Sequence, residues 1–230
     1  MLHASGHDCL RARPALEWHM PTPLRRLRLE FGLLFLALPL VLAAVPSGRW
    51  KIPALLAITV SCMLLLRRDP EFDGRNELCP RAFNDGLRRV ALRVLFIAPL
   101  LAALVLALRP EAFLEFPLRR PVFWAVVMVL YPLLSALPQE FLYRTFFFHR
   151  YRPLFPTPAA MTVASATAFS VLHIMYWNVP ALALSFAGGL LLGRTYNSSR
   201  SLLLVSLEHA LYGCLAFTLG LGRFFYNGPR

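Results

Sequence analysis

Seven side chains that could do chemistry stand in an otherwise apolar setting: Gln139, Glu140, Arg144, His149, His173, Glu208 and His209. His149 lies beside a loop-like stretch, and the other six fall in three clusters on three apolar runs. Titratable groups at membrane depth are expensive, so they face a bundle interior or a wet cavity. In Pro138–Arg144, Glu140 and Arg144 are four residues apart, and a helix puts them on one face where they can pair. The plain reading is a structural ion pair, and the functional one is a carboxylate held ionised by a guanidinium. His173 ends the run Phe169-Ser170-Val171-Leu172-His173, in which no other group ionises. It is either a hydrogen-bonded packing residue or a donor. Glu208 and His209 are neighbours, so on a helix they point about 100° apart. One is expected at the core, and the other, Glu208, against a different helix or the membrane rim.

A glutamate and two histidines from three helices can activate water. Glu140 would act as general base, with His173 and His209 orienting the water and donating to the developing oxyanion. Two imidazoles and a carboxylate could also ligate zinc. The chain has no H-E-x-x-H motif to support that version.

Composition explains what must carry these groups. Hydrophobic residues make up 57% of the 230, charged residues only 16%, against roughly a quarter charged in soluble domains. Mean hydropathy is +0.56. A water-soluble globule this small could not hide so much apolar surface. The solvent is lipid. The net charge of +12 comes from 24 basic residues, only Lys51 being a lysine, scattered between apolar runs. That pattern suits membrane orientation rather than a nucleic-acid groove, so nucleic acid is not expected as a partner. Cys9, Cys62, Cys79 and Cys214 form no C-x-x-C pair and read as inert thiols.

The expected fold is all-α, a polytopic transmembrane helix bundle of about seven spans (six to eight), each needing roughly 20 apolar residues. Residues 1–30 read as a disordered cytoplasmic segment, with a second candidate translation start at Met20. Residues 31–120 hold N-terminal spans around a polar cytoplasmic loop at 67–93, residues 121–222 the core with all three clusters, and 223–230 a tail. The apolar runs are Phe31–Gly48, Ile52–Leu66, Val94–Leu108, Pro121–Gln139, two helices in Pro153–Gly193 broken at Asn178-Val179-Pro180, and Ser201–Gly222. Seven alternating spans put 17 basic residues on one side and 7 on the other, or 16 if Arg144 is not counted. The positive-inside rule then makes the N-terminus cytoplasmic.

In order and spacing the three clusters resemble the CPBP family of intramembrane endopeptidases, the CAAX-processing and bacteriocin-processing group also called Abi. Its pattern is E-E-x-x-x-R, then F-x-x-x-H, then H-x-x-x-N. The matching residues are Gln139-Glu140 to Arg144, Phe169 to His173, and His209 to Gly213, and the glycines Gly188, Gly189 and Gly193 also look familial. The resemblance covers residues 121–222. It implies a helical membrane protease that hydrolyses peptide bonds with glutamate-activated water, no covalent intermediate and no obligatory cofactor. Glu140, His173 and His209 would be catalytic, with Gln139, Arg144, Phe169 and Gly213 supporting them. Two positions depart from the pattern: Gln139 replaces the first glutamate, leaving Glu140 to work alone, and Gly213 replaces the asparagine. The glycines read as helix-packing positions.

These readings imply an integral membrane protein of a bacterial inner membrane, with the bilayer and a membrane-anchored protein or peptide substrate as partners. The rival readings are a noncatalytic membrane scaffold or immunity protein, a zinc-dependent membrane protease, and a small transporter with a proton relay. No internal symmetry supports the transporter.

Overall fold

The computed structural model describes residues 23–45 and 48–226. Among them there is no strand, and seven long helices make an all-α polytopic bundle: α1 (Leu24–Ala44), α2 (Lys51–Arg67), α3 (Pro80–Leu108), α4 (Pro121–Arg150), α5 (Pro158–Tyr176, closing in a tight 3₁₀ turn from His173), α6 (Val179–Ser199) and α7 (Leu202–Leu219). Five of these, α1, α3, α4, α5 and α7, are long and apolar enough to cross a membrane. Helix α2 is 17 residues long, and α6, at 21, carries Arg194, Tyr196, Asn197, Ser198 and Ser199. Outward faces are greasy, with Phe96 at 73% and Val122 at 78% exposed, as a lipid solvent requires.

Helix starts follow local chemistry. Thr157 caps α5 by accepting from Ala160 N (3.1 Å), Asn178 caps α6 from Ala181 N (2.8 Å), and Ser201 caps α7 from Leu204 N (3.2 Å). Each satisfies an amide that the first turn leaves orphaned. The expected break at 178–180 is therefore an N-cap, preceded by Trp177 in a left-handed conformation. Helix α7 stops at Gly220, whose φ of 104° suits a residue without a Cβ.

Two boundaries differ from the sequence reading. Residues 24–30, expected within the disordered segment, begin α1; residues 1–22 and 227–230 lie outside the described residues. Residues 80–93, expected within the polar loop, form the first half of α3. Pro80 starts that helix, and Ala82, Gly86 and Val90 recur every four residues as a buried stripe. Gly86 lies against Leu204 of α7 so closely that a Cβ would overlap its side chain. One face of that half is thus committed to protein, while Arg81, Arg88 and Arg89 are exposed.

Helix α4 is the spine. Phe35 of α1 meets Tyr143 and Phe147 edge-on, both at 5.2 Å, and Phe148 meets Tyr196 of α6 at 5.2 Å. Its C-terminal end is tied by Arg150, which donates twice to Glu30 (3.0 and 2.9 Å), and by His149 against Asp69 (2.9 Å). The turn Gly74–Glu77 is anchored by Thr145 and Tyr196 hydroxyls donating to the Glu77 carboxylate (2.9 and 2.6 Å). Along α4 two wide turns, Pro132–Ala136 and Phe141–Phe146, bond i to i+5 and bracket Gln139-Glu140. Pro138 lacks an amide for the carbonyl four residues back, one cause of such local widening.

Candidate active site

Glu140 sits on α4 between the two wide turns, fully buried. Its Oε1 accepts from Nδ1–H of His209, on α7, at 2.8 Å. Arg144 Nε, one turn further along α4, lies 3.2 Å from Oε2, close enough for charge pairing though off the line of a hydrogen bond. Arg144 is itself fully enclosed and braced from three sides. It donates to the Tyr143 carbonyl (3.1 Å), to Ser165 Oγ of α5 (2.6 Å) and to the Gly189 carbonyl of α6 (3.3 Å). Gly189 allows this because α6 lies so close to α5 that a Cβ at 189 would stand only 3.0 Å from Ala166 Cα. Gly193 likewise abuts Thr162, whereas Gly188 meets nothing. The packing role expected for the three glycines belongs to two of them.

Phe169 is the wall between the histidines. Its ring centroid lies 4.7 Å from that of His173 and 5.4 Å from that of His209, with Tyr143 at 5.4 Å and the Arg144 guanidinium carbon also at 5.4 Å. His173 Nδ1–H donates to the Phe169 carbonyl at 2.8 Å. A carbonyl and an ionised carboxylate only accept, so both imidazoles are pinned through Nδ1–H. Each then keeps an Nε2 without a protein partner among the described residues. Glu140 and His209 meet directly, while His173 joins them only across the Phe169 ring.

The supporting residues divide. Gln139 does not brace Glu140; its amide donates to Ser135 Oγ on its own helix (2.7 Å), and its Oε1 is buried without a partner among the described residues. Adjacent residues on a helix diverge, and the wide turn that follows does not bring them back. The space at Gly213 is filled by Tyr131 of α4: a Cβ there would overlap the Tyr131 phenol. Glu208 turns away as expected. Fully buried, it takes Arg93 Nη1 of α3 at 3.0 Å and the Tyr212 hydroxyl at 2.7 Å. Arg93 also donates to Thr195 of α6 (2.6 Å).

Arg93 and Tyr131 were invisible as partners from sequence. The four-residue stripe Ala82, Gly86, Val90 could have extended α3 and so brought Arg93 into the bundle. Nothing in the sequence marks Tyr131 beyond its lying one residue before Pro132.

Residues 121–215 match the family model of the type II CAAX prenyl endopeptidases, Rce1-like. The segment is similar to that family. It contains all three clusters and both departures. No curated protein and no solved structure matches the chain. The five apolar helices, together with this similarity, point to an integral membrane protein.

A zinc centre would need at least three ligands. Among the described residues no three His, Cys, Asp or Glu side chains converge closely enough to hold a metal ion. The site thus offers one glutamate and one histidine in contact, which suits proton transfer better than zinc ligation.

Proposed function

We propose that the protein is an intramembrane endopeptidase hydrolysing a peptide bond of a membrane-associated protein or peptide with a water activated by the Glu140–His209 pair. The observation that carries this is the 2.8 Å bond between His209 Nδ1 and a fully buried carboxylate. Water meets the pair through His209 Nε2, since Nδ1 and Glu140 Oε1 are bonded to each other and Oε2, though without a hydrogen bond among the described residues, is enclosed beside Arg144. Glu140 fixes the tautomer and stabilises the imidazolium that forms.

The steps balance simply. Nε2 takes a proton as the water oxygen bonds to the carbonyl carbon, and the carbonyl oxygen becomes anionic. The tetrahedral centre collapses, the C–N bond breaks, and Nε2 returns the proton to the leaving amine. His173, whose Nε2 is also unpartnered, orients the water or the carbonyl across Phe169. No cofactor enters the scheme. The proposed substrate is a tail tethered to the bilayer and the proposed location a bacterial inner membrane, with the distribution of basic residues supporting a cytoplasmic N-terminus.

The test is proteomics of membrane-protein termini in cells carrying wild type, Glu140→Gln or His209→Ala. A terminus lost in both variants at equal protein level supports the reading and names the substrate. Identical termini in all three overturn it.

A second reading, a noncatalytic scaffold or immunity protein, draws on the self-contained Gln139–Ser135 bond and the enclosure of Glu140. A cellular effect that persists in His209→Ala favours it.

A further inference from the structure

One side chain beside His209 has no task in the scheme above. Helices α4 and α7 run antiparallel. Trp124 Nε1 donates to Thr218 Oγ1 (3.0 Å), Cys214 Sγ faces the Met128 carbonyl (4.0 Å), and Glu140 meets His209. Between these contacts Tyr131 lies opposite Gly213, one turn beyond His209. Its phenol, hydroxyl included, fills the volume that a Cβ at 213 would need. The ring stands edge-on to His209 at 6.0 Å and to Phe217 at 5.3 Å. Yet the hydroxyl has no hydrogen-bond partner among the described residues.

A tyrosine hydroxyl set among packed aromatic rings ordinarily finds a partner. An unclaimed donor beside an imidazole whose Nε2 is also unclaimed is what a site for a developing negative charge requires. Phe217 and the α7 backbone fix the ring, so the donor is placed before substrate arrives. Glycine at 213 is the condition for this placement: any side chain there must push the phenol out.

We propose that Tyr131 is a catalytic residue, its hydroxyl donating to the scissile carbonyl oxygen as that oxygen becomes anionic. This rests on the endopeptidase reading. The donor comes from α4, facing the catalytic histidine, and takes up the space that a longer residue four positions after His209 would have filled from α7.

The experiment uses the full chain in phosphatidylethanolamine/phosphatidylglycerol vesicles with solubilised membrane proteins from Glu140→Gln cells as the probe, following the rate at which new termini appear. Tyr131→Phe keeps the ring and removes only the hydroxyl. Its rate is expected to fall about 10²- to 10³-fold, the usual consequence of deleting one such donor, with an unchanged melting temperature. Tyr131→Ala should fall at least as far, and Tyr131→Ala with Gly213→Asn should regain tenfold or more, because an amide then enters the vacated space. A merely structural tyrosine would not be rescued that way. Wild-type rates in Tyr131→Phe overturn this proposal alone. No Glu140-dependent termini from wild type overturn the endopeptidase reading and this proposal with it.

Discussion

Two glutamates in this molecule are buried to the same degree and serve different ends. Glu140 and Glu208 are both fully enclosed, and each has an arginine at about 3 Å. Around Glu208 the partners are a guanidinium that reaches the surface, Arg93 at 31% exposure, and the Tyr212 phenol on its own helix. These contacts join α3, α6 and α7, with both donors on Glu208 Oε1, and put no imidazole against the acid. Around Glu140 the second partner is an imidazole, which passes the carboxylate's influence to an open Nε2. Burial and an arginine make an anchor, and a histidine that joins the carboxylate to an unpartnered ring nitrogen makes a candidate site. The neighbours Glu208 and His209 serve one of each, because a helix turns about 100° between them.

Breaking the two sides separately sharpens the contrast. The largest expected effect is on cleavage: His209→Ala should slow it about 10²- to 10⁴-fold, while Glu208→Gln leaves it near the wild-type rate, both read from terminus production in vesicles. A large loss in Glu208→Gln would erase the distinction. Next in size is Arg144→Met, which strands the Glu140 charge and should lower unfolding free energy by about 3–5 kcal/mol, the typical result of breaking one side of a buried pair. Thermal unfolding in detergent measures it. Glu208→Gln should cost less, about 1–3 kcal/mol, since Arg93 can swing toward solvent and the amide oxygen can still accept from Tyr212. Equal losses for the two variants would mean that both arginines are equally confined.

The smallest effect is a pH slope at a third carboxylate, Glu77, in the turn before α3. Burial raises its pKa above the ordinary 4.5, with the Tyr196 and Thr145 hydroxyls pulling the other way. The folded chain therefore holds that proton to higher pH than the unfolded chain does. Its contribution to stability is fully present below about 4.5 and declines as pH climbs through the raised folded value. Glu77→Gln should flatten that decline in melting temperature between acid and neutral pH. An unchanged slope would show that Glu77 titrates alike in both states.

Much of this was legible from residues alone. Apolar runs gave the bundle, Asn178-Val179-Pro180 marked a helix junction, and the four-residue spacing of Glu140 and Arg144 anticipated their pairing, as the 100° argument anticipated Glu208 turning away. What escaped were contacts between helices far apart in sequence. Arg93 reaches Glu208 across 115 positions, and the arginine-rich stretch around it looked like solvent-exposed loop because charge masks a narrow buried stripe. Tyr131 could not be matched to Gly213, since no local pattern says which facing residue fills a glycine's void. Gln139 was expected to hold Glu140, but a side chain's nearest partner can be its own helix, here Ser135 one turn back.

The adjacency of Glu208 and His209 also makes α7 intolerant of changes in length. One residue inserted after the Ser201 cap and before Glu208 would rotate everything beyond it by about 100° and advance it 1.5 Å. The imidazole would leave Glu140, and the anchor acid would leave Arg93. Single-residue insertions and deletions there should therefore be far more damaging than substitutions at the lipid-facing positions of the same two turns.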